Sequence, residues 1–380
     1  MAPHAPYYTE EHEQLREQVR RFVQREIAPD VEAWEEAGEF PRSLYAKAGE
    51  MGLLGIGYPE ALGGTPADPF HRIVVTDELA RPGSGGIIAG LLSHGIALPP
   101  IVALGSDALK QRIVPPVLRG EAIAALAITE PDGGSDVANL RTTARREGDH
   151  YIVDGSKTFI TSGMRADYVT VAVRTGGPEM GGISLLVVER DTAGFTRTPL
   201  AKMGWWCSDT ATLYFDGCRV PAANLIGDEN AGFLGIMHNF NGERLAIASM
   251  AIAFAQVCLD EAIAWAKERN TFGKPLVYRQ VIRHKLVDMA QRIGSSRAWL
   301  EQLAWRVGQG QWPIAEVCML KNAATQCLEF CAKEAVQIFG GAGYIRGQKV
   351  ERIYRETKVL SIGGGAEEIM KELAAKQMGL

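Results

Sequence analysis

Apolar residues recur with a helical period over the first third of the chain, change to a strand-like period in the middle, and return to a helical one toward the end. From about 9 to 123, Leu15, Val19, Phe22, Val23 and Ile27 form one stripe, which Pro29 stops. Ser43 is placed to cap a second short helix ending near Gly52. Further helical patterns cover about 70–81, 87–98 and 106–119, divided by the clusters EALGGTPADP and RPGSGG. From about 124 to 235 the runs AALAIT, LRTTARR, YVTVAVR and ISLLVVE are short and β-branched, with GD, DG and GG turns between them. No helix of useful length fits there, which favours an antiparallel, barrel-like domain over a parallel βαβ sheet. Long helical segments then predict a bundle at about 236–269, 280–307, 312–339 and 365–377. The expected architecture is α+β and multidomain: an N-terminal α-helical domain (1–123), a middle antiparallel β-barrel domain (124–235) and a C-terminal four-helix bundle (236–380).

A chain of 380 residues supports two or three such domains. Its net charge of −5, without a long basic run, argues against a nucleic-acid surface. The opening MAPHAPYYTEEHEQ lacks the basic-then-apolar order of an export signal, and no stretch approaches eighteen uninterrupted apolar residues. A cytoplasmic enzyme is the expectation. The six cysteines contain no Cys-x-x-Cys pair; Cys327 and Cys331, four apart on a predicted helix, read as reduced core residues, as do Cys258 and Cys318. The seven histidines show no metal-ligand spacing, so no metal is expected.

Two segments carry candidate chemistry: AITEPDGGSD at 127–136 and DGSKTFITSG at 154–163. Glycines let backbone N–H groups approach a ligand closely, and hydroxyls add short, adjustable donors. Such a loop is suited to a large, flat, phosphate-bearing cofactor, although taken alone it is usually just a turn. Together and in this order the two segments resemble the flavin-binding middle domain of acyl-CoA dehydrogenases. The KMG, SDT and VP elements within 202–233 resemble the same family, as does the α–β–α order. Trp205 and Trp206 stand at variable positions, either shaping an acyl entrance or simply packed.

The resemblance implies FAD as cofactor. It lays Leu126, Ile128, Thr129, Gly134 and Ser135 along the isoalloxazine ring and pyrophosphate, with Thr129 at the pyrimidine end and Ser135 near the phosphate and substrate thioester. Phe159, Ile160 and Thr161 form the second contact: Phe159 covers one face of the flavin, and Thr161 donates to N5, the atom that receives hydride. In ERNTFGKPLVYRQ it places Arg269, Thr271, Phe272 and Gln280 against the FAD of a neighbouring subunit, joined by Gln337, Gly340 and Gly341. That glycine cluster follows a helix and lacks dinucleotide-binding spacing, so a Rossmann reading fails. Glu368, at the start of the last helix, is a further cofactor candidate. A homotetramer or homodimer is implied, with an electron-transferring flavoprotein as electron acceptor and no membrane span.

In the family a carboxylate removes the proton α to an acyl-CoA thioester, giving the trans-2-enoyl product. Many members carry it just before a Gly-Thr pair near the C-terminus. Here that region reads SIGGGAEEI, and Gly364, which cannot take a proton, stands at the base position. The resemblance offers Glu243, in NGERL, as the replacement, because the long-chain and isovaleryl members hold their base there beside an arginine. Asn241, Arg244, Gly364 and Gly365 join Ser135 as substrate contacts. Read without the family, Glu243 is a helix-surface or salt-bridge carboxylate. Three rivals share the fold: a dehydrogenase of carrier-protein-bound acyl groups, an oxygen-using oxidase or monooxygenase, and a non-catalytic binding protein that lost the base with Gly364. Residues near Leu92, His94 and Gly95 are expected to set acyl length, with His94 packed rather than catalytic.

Overall fold

The computed structural model describes residues 7–380, apart from the side chains of His238 and Asn239; residues 1–6, part of the stretch in which no export signal is read, lie outside it. Eight helices come first: α1 (Glu10–Glu26), α2 (Val31–Ala37), α3 (Ser43–Glu50), α4 (Pro69–Leu79), α5 (Gly85–Leu91), α6 (His94–Ala97), α7 (Pro99–Leu104) and α8 (Asp107–Leu118). Eight strands follow: β1 (Ala124–Ala127), β2 (Thr143–Glu147), β3 (His150–Thr161), β4 (Tyr168–Arg174), β5 (Ile183–Glu189), β6 (Phe195–Pro199), β7 (Thr210–Pro221) and β8 (Leu225–Ile226). Then come α9 (Gly232–Glu268), a ribbon of β9 (Asn270–Thr271) and β10 (Lys274–Pro275), α10 (Gln280–Gly308), α11 (Ile314–Phe339), α12 (Lys349–Ile362) and α13 (Glu367–Met378). The chain divides into two compact units, one of residues 1–33, 67–85 and 241–380, the other of 34–66 and 86–240.

In the second unit the strands form one sheet in the order β6-β7-β3-β2-β4-β5-β8. Its pairings are mostly antiparallel, as the short β-branched runs and tight turns predict. Two are parallel: β1 lies along β4 from Ala124↔Tyr168 to Ala127↔Val171, and β2 meets β4 at Thr143↔Arg174. Strand β5 is buried along nearly its whole length, which explains why ISLLVVE reads as a continuous apolar run rather than an alternating one. Its Ile183, Leu185 and Val187 pack with Ile113, Val114 and Val117 of α8 and with Ala124 and Ile128. Pro115 and Pro116 lie inside α8 itself.

The first unit is helical. Val19, Phe22 and Val23 of α1 are buried as the stripe requires. Asp68 caps α4 by accepting the N–H groups of Phe70 and His71, with Pro69 in the first turn. The four expected helices are present as α9, α10, α11 and α13, and α12 is an additional helix in a segment to which the sequence reading assigned none. Its sequence KVERIYRETKVLSI buries Arg352 and Glu356 beside Val350, Ile353 and Leu360, so charged residues interrupt the stripe. Short helix α2 is likewise absent from the sequence reading. Ser43 does not cap α3: Arg42 holds the N-cap position with no side-chain cap, and the turn is entered from Pro41, whose carbonyl accepts the Leu44 N–H. Helix α9 is long and apolar enough to cross a membrane, but 67% of its most apolar window is buried in protein, as in a core helix.

All six cysteines are buried and free. His12 Nε2 and His71 Nδ1 converge on Asp68 Oδ1 at 3.0 and 2.8 Å. The Thr9 N–H, an obligate donor, points at His12 Nδ1 (3.0 Å), so the ring proton sits on Nε2 and faces Asp68. With that tautomer Nε2 has no lone pair for a metal. The trio is a hydrogen-bonded cap.

Candidate active site

The loop that leaves β1 is tied down at its base and open beyond it. Thr129 ends the stem: its carbonyl accepts the Thr158 N–H at 2.9 Å, joining the two motif segments directly. Lys157, fully buried, donates from Nζ to the Ile128 carbonyl (2.9 Å) and to Glu130 Oε1 (2.8 Å). The Glu130 carboxylate also accepts the N–H groups of Arg141 (2.6 Å) and Thr142 (2.9 Å), which closes the far end of the loop. Burial alone would raise the Glu130 pKa, but the Lys157 charge and these bonds outweigh it and hold the group below its ordinary value. Residues 131–136, including Gly134 and Ser135, are exposed between those anchors.

The second segment contributes through a backbone irregularity. Strand β3 loses register with β7 between Lys157 and Ile160. Phe159 sits inside that bulge in the left-handed region (φ 61), with its ring 69% exposed. Bulges re-aim side chains, and a bulky residue at positive φ is held there only by its surroundings. An exposed flat ring beside a glycine-lined, hydroxyl-bearing loop fits the cover a flavin requires. Ile128 and Ile160 are buried in the protein interior, whereas Leu126, Thr129 and Thr161 are half-buried. His94 is buried, with Nε2 2.9 Å from the Leu54 carbonyl, in keeping with a packed role.

In the helical unit, four elements converge on one carboxylate. Glu243 lies in the first third of α9, and its Oε2 is covered without a hydrogen-bond partner among the described residues. Gly364, in the turn between α12 and α13, adopts φ 65. A Cβ built on it would lie 3.7 Å from Glu243 Oε1 and 2.5 Å from Ile247 Cδ1. The absent side chain at 364 and the side chain present at 243 therefore point at the same spot. Arg244 is buried and donates to Asn241 Oδ1 (3.0 Å) and, at 3.4 Å, to the Gly364 carbonyl. Burial pushes the Glu243 pKa up to about 7, against the lowering pull of Arg244 and Lys321. Lys321 on α11 is fully buried and donates to the carbonyls of Ser361 (3.2 Å) and Gly365 (2.5 Å).

The remaining candidates sit on the β9–β10 ribbon and at two helix ends. The Leu276 N–H returns to the Arg269 carbonyl at 2.7 Å, and Arg279 donates to the Thr271 carbonyl at 2.8 Å. At the tip, Phe272 has φ 50 and is 97% exposed. Gln280 begins α10, Gln337 lies in the last turn of α11, and Glu368 in the first turn of α13. A Cβ on Gly340 or Gly341 would meet nothing within 4 Å, so open space lies over that turn. Glu130, Lys157 and Lys321 were not among the sequence candidates. Their signal is a charged residue inside an apolar run, clearest for Lys321 in VCMLKNAAT.

Residues 9–121, 125–218 and 230–379 match, respectively, the N-terminal, middle and C-terminal domains of acyl-CoA dehydrogenase. A solved structure described as a probable acyl CoA dehydrogenase from Mycobacterium abscessus is 52% identical, with a TM-score of 0.97 over 98% of this chain and 100% of that one. The long-chain specific acyl-CoA dehydrogenase of Sus scrofa mitochondria is 36% identical over 98% of this chain and 87% of its own length. A glutaryl-CoA dehydrogenase from Mycobacterium smegmatis, solved in complex with FADH2, is 26% identical with a TM-score of 0.91 over 98% of this chain and 95% of that one. The chain belongs to the acyl-CoA dehydrogenases, a family of FAD-dependent oxidoreductases.

Proposed function

We propose that this enzyme desaturates an acyl-CoA thioester between its α and β carbons, giving the trans-2-enoyl-CoA, with Glu243 as the base that removes the α-proton. The observation that carries this is the covered Oε2 of Glu243, without a hydrogen-bond partner among the described residues, on a carboxylate whose Oε1 lies 3.7 Å from where a side chain at Gly364 would begin. A structural carboxylate would be expected to have its lone pairs filled. One left unfilled, and raised to about 7 by burial, is matched to accept a proton near neutral pH.

Bound FAD would supply the acceptor for the two electrons, held by the loop carrying Thr129 and Ser135 and covered by Phe159. Gly364 and Gly365, at φ 65 and 105, keep the turn thin enough for a substrate to lie against Glu243, and their backbone N–H groups are the donors available to a thioester oxygen. Arg244 holds the Gly364 carbonyl and so fixes the orientation of that turn. The Arg269–Gln280 ribbon and the Gly340–Gly341 turn serve a cofactor shared with a second copy of the chain, in a homodimer or homotetramer. An electron-transferring flavoprotein is the proposed acceptor.

Anaerobic bleaching of the flavin by butyryl-, octanoyl-, palmitoyl- and isovaleryl-CoA tests the reaction and sorts the acyl group. Glu243→Gln should retain bound FAD and lose reduction by a factor of about 10²–10⁴, the usual contribution of a positioned base. Wild-type rates in that variant would refute the assignment.

A further inference from the structure

The geometry points to Lys321 as a positioning residue for this base: its buried ammonium clamps both sides of the Gly363–Gly365 turn and supplies a positive charge that favours the ionised form of Glu243. This rests on the proposed role of Glu243. The clamp is direct. Nζ reaches the Ser361 carbonyl, the last turn of α12, and the Gly365 carbonyl, immediately before α13. Arg244 holds the carbonyl between them, that of Gly364. Two cations, from α9 and α11, thus grip consecutive parts of a turn whose glycines contribute no side-chain contacts of their own. A lysine with no exposed surface is rare, since desolvation of its charge is unfavourable by several kcal/mol unless partners compensate. Two neutral carbonyls compensate only in part, and a nearby carboxylate completes the balance.

The groups that act on Glu243 are Arg244 on its own helix and Lys321 on α11, and no charged side chain comes from the 363–365 turn. Cys318, one helical turn before Lys321, is a buried thiol raised by burial and stays neutral near pH 7. Burial lowers Lys321 to about 8 while Glu243 opposes that shift, and Glu367, at the start of α13, acts on it more weakly. Burial thus draws the two titrations toward each other near neutral pH, so the charge on each group bears on the other. At lower pH the base is protonated. At higher pH the clamp loses its charge.

The test uses the FAD-loaded full chain and needs no substrate. Infrared titration follows the carboxyl band assigned by its loss in Glu243→Gln. Lys321→Met should raise the midpoint of that band by about one pH unit, the order expected for losing one neighbouring charge. In Lys321→Arg the midpoint should stay near the wild-type value, and the small second step in the band above pH 8 should vanish, because arginine does not titrate there. An unchanged midpoint in a Lys321→Met protein that keeps its FAD overturns the proposal. Should Lys321→Met fail to fold, a second step that persists in Lys321→Arg overturns it equally. A lysine that merely fills space would move neither reading. Because no acyl-CoA is added, a shifted midpoint in a protein that no acyl-CoA reduces would refute the reaction while leaving the role of Lys321 standing.

Discussion

Each unit sets a buried lysine in electrostatic reach of a glutamate, and the two couples are finished differently. Around Glu130 the carboxylate meets three donors, the Lys157 ammonium and the N–H groups of Arg141 and Thr142. Around Glu243 one oxygen is left covered and unpartnered, and the lysine spends its hydrogen bonds on backbone carbonyls instead. Physical chemistry separates the outcomes: the first carboxylate is held below its ordinary pKa, the second pushed up to about 7. The lesson is that burial and a cationic neighbour do not by themselves mark a base. What sets Glu243 apart is an unfilled oxygen on a carboxylate that also faces the empty Gly364 position.

That contrast can be broken at its satisfied end first. Lys157→Met strands a buried carboxylate, and removal of one partner from such a couple is expected to destabilise by about 3–5 kcal/mol. The checks are a fall in thermal midpoint and loss of FAD, since the loop of residues 131–136 loses its anchor. A change of under about 1 kcal/mol would make the two couples equivalent and remove the distinction.

The pH dependence of stability sharpens the other end. A folded-state pKa of about 7 against an ordinary 4.5 means that the Glu243 contribution is fully present below the unfolded value and is lost as pH rises through about 7. Relative to wild type, Glu243→Gln should therefore gain stability across that window, by up to ~3 kcal/mol at pH 8. Denaturant unfolding of both proteins at pH 5 and pH 8 reads the difference. No divergence would mean that Glu243 ionises in the fold as freely as in the unfolded chain.

The smallest effect falls on the turn. Gly364→Ala asks for a side chain at φ 65 and within 2.5 Å of Ile247 Cδ1, and should lower stability by about 1–3 kcal/mol while slowing flavin reduction. Wild-type behaviour would show that the turn has room to move.

Much of this was legible before any coordinates. The α–β–α order, the long helices and the paired clue of glycine at 364 with glutamate at 243 were readable because they depend on local pattern and on residue type. Helix α12 was not, because Arg352 and Glu356 lie on its buried face and erase the apolar stripe. The parallel pairing of β1 with β4 was hidden for another reason: the partners are forty-four residues apart, and no local pattern encodes who pairs with whom. Phe159 was named as a flat cover, but nothing in KTFIT announces the positive φ that turns its ring outward. Lys157 and Lys321 were passed over because a lysine is ordinarily read as surface, and their partners, backbone carbonyls and for Lys157 also the Glu130 carboxylate, are set by tertiary structure.

The convergence of positions 243 and 364 restricts how a chain of this shape can alter its own chemistry. An acidic side chain can come from the long helix at 243 or from the late turn at 364, and one added at 364 would meet both the Glu243 carboxylate and Ile247 Cδ1. On the proposed assignment, a chain with neither would lose its proton acceptor. Exchanging one route for the other thus demands two substitutions whose separate halves are each unfit, a valley that stepwise mutation crosses with difficulty.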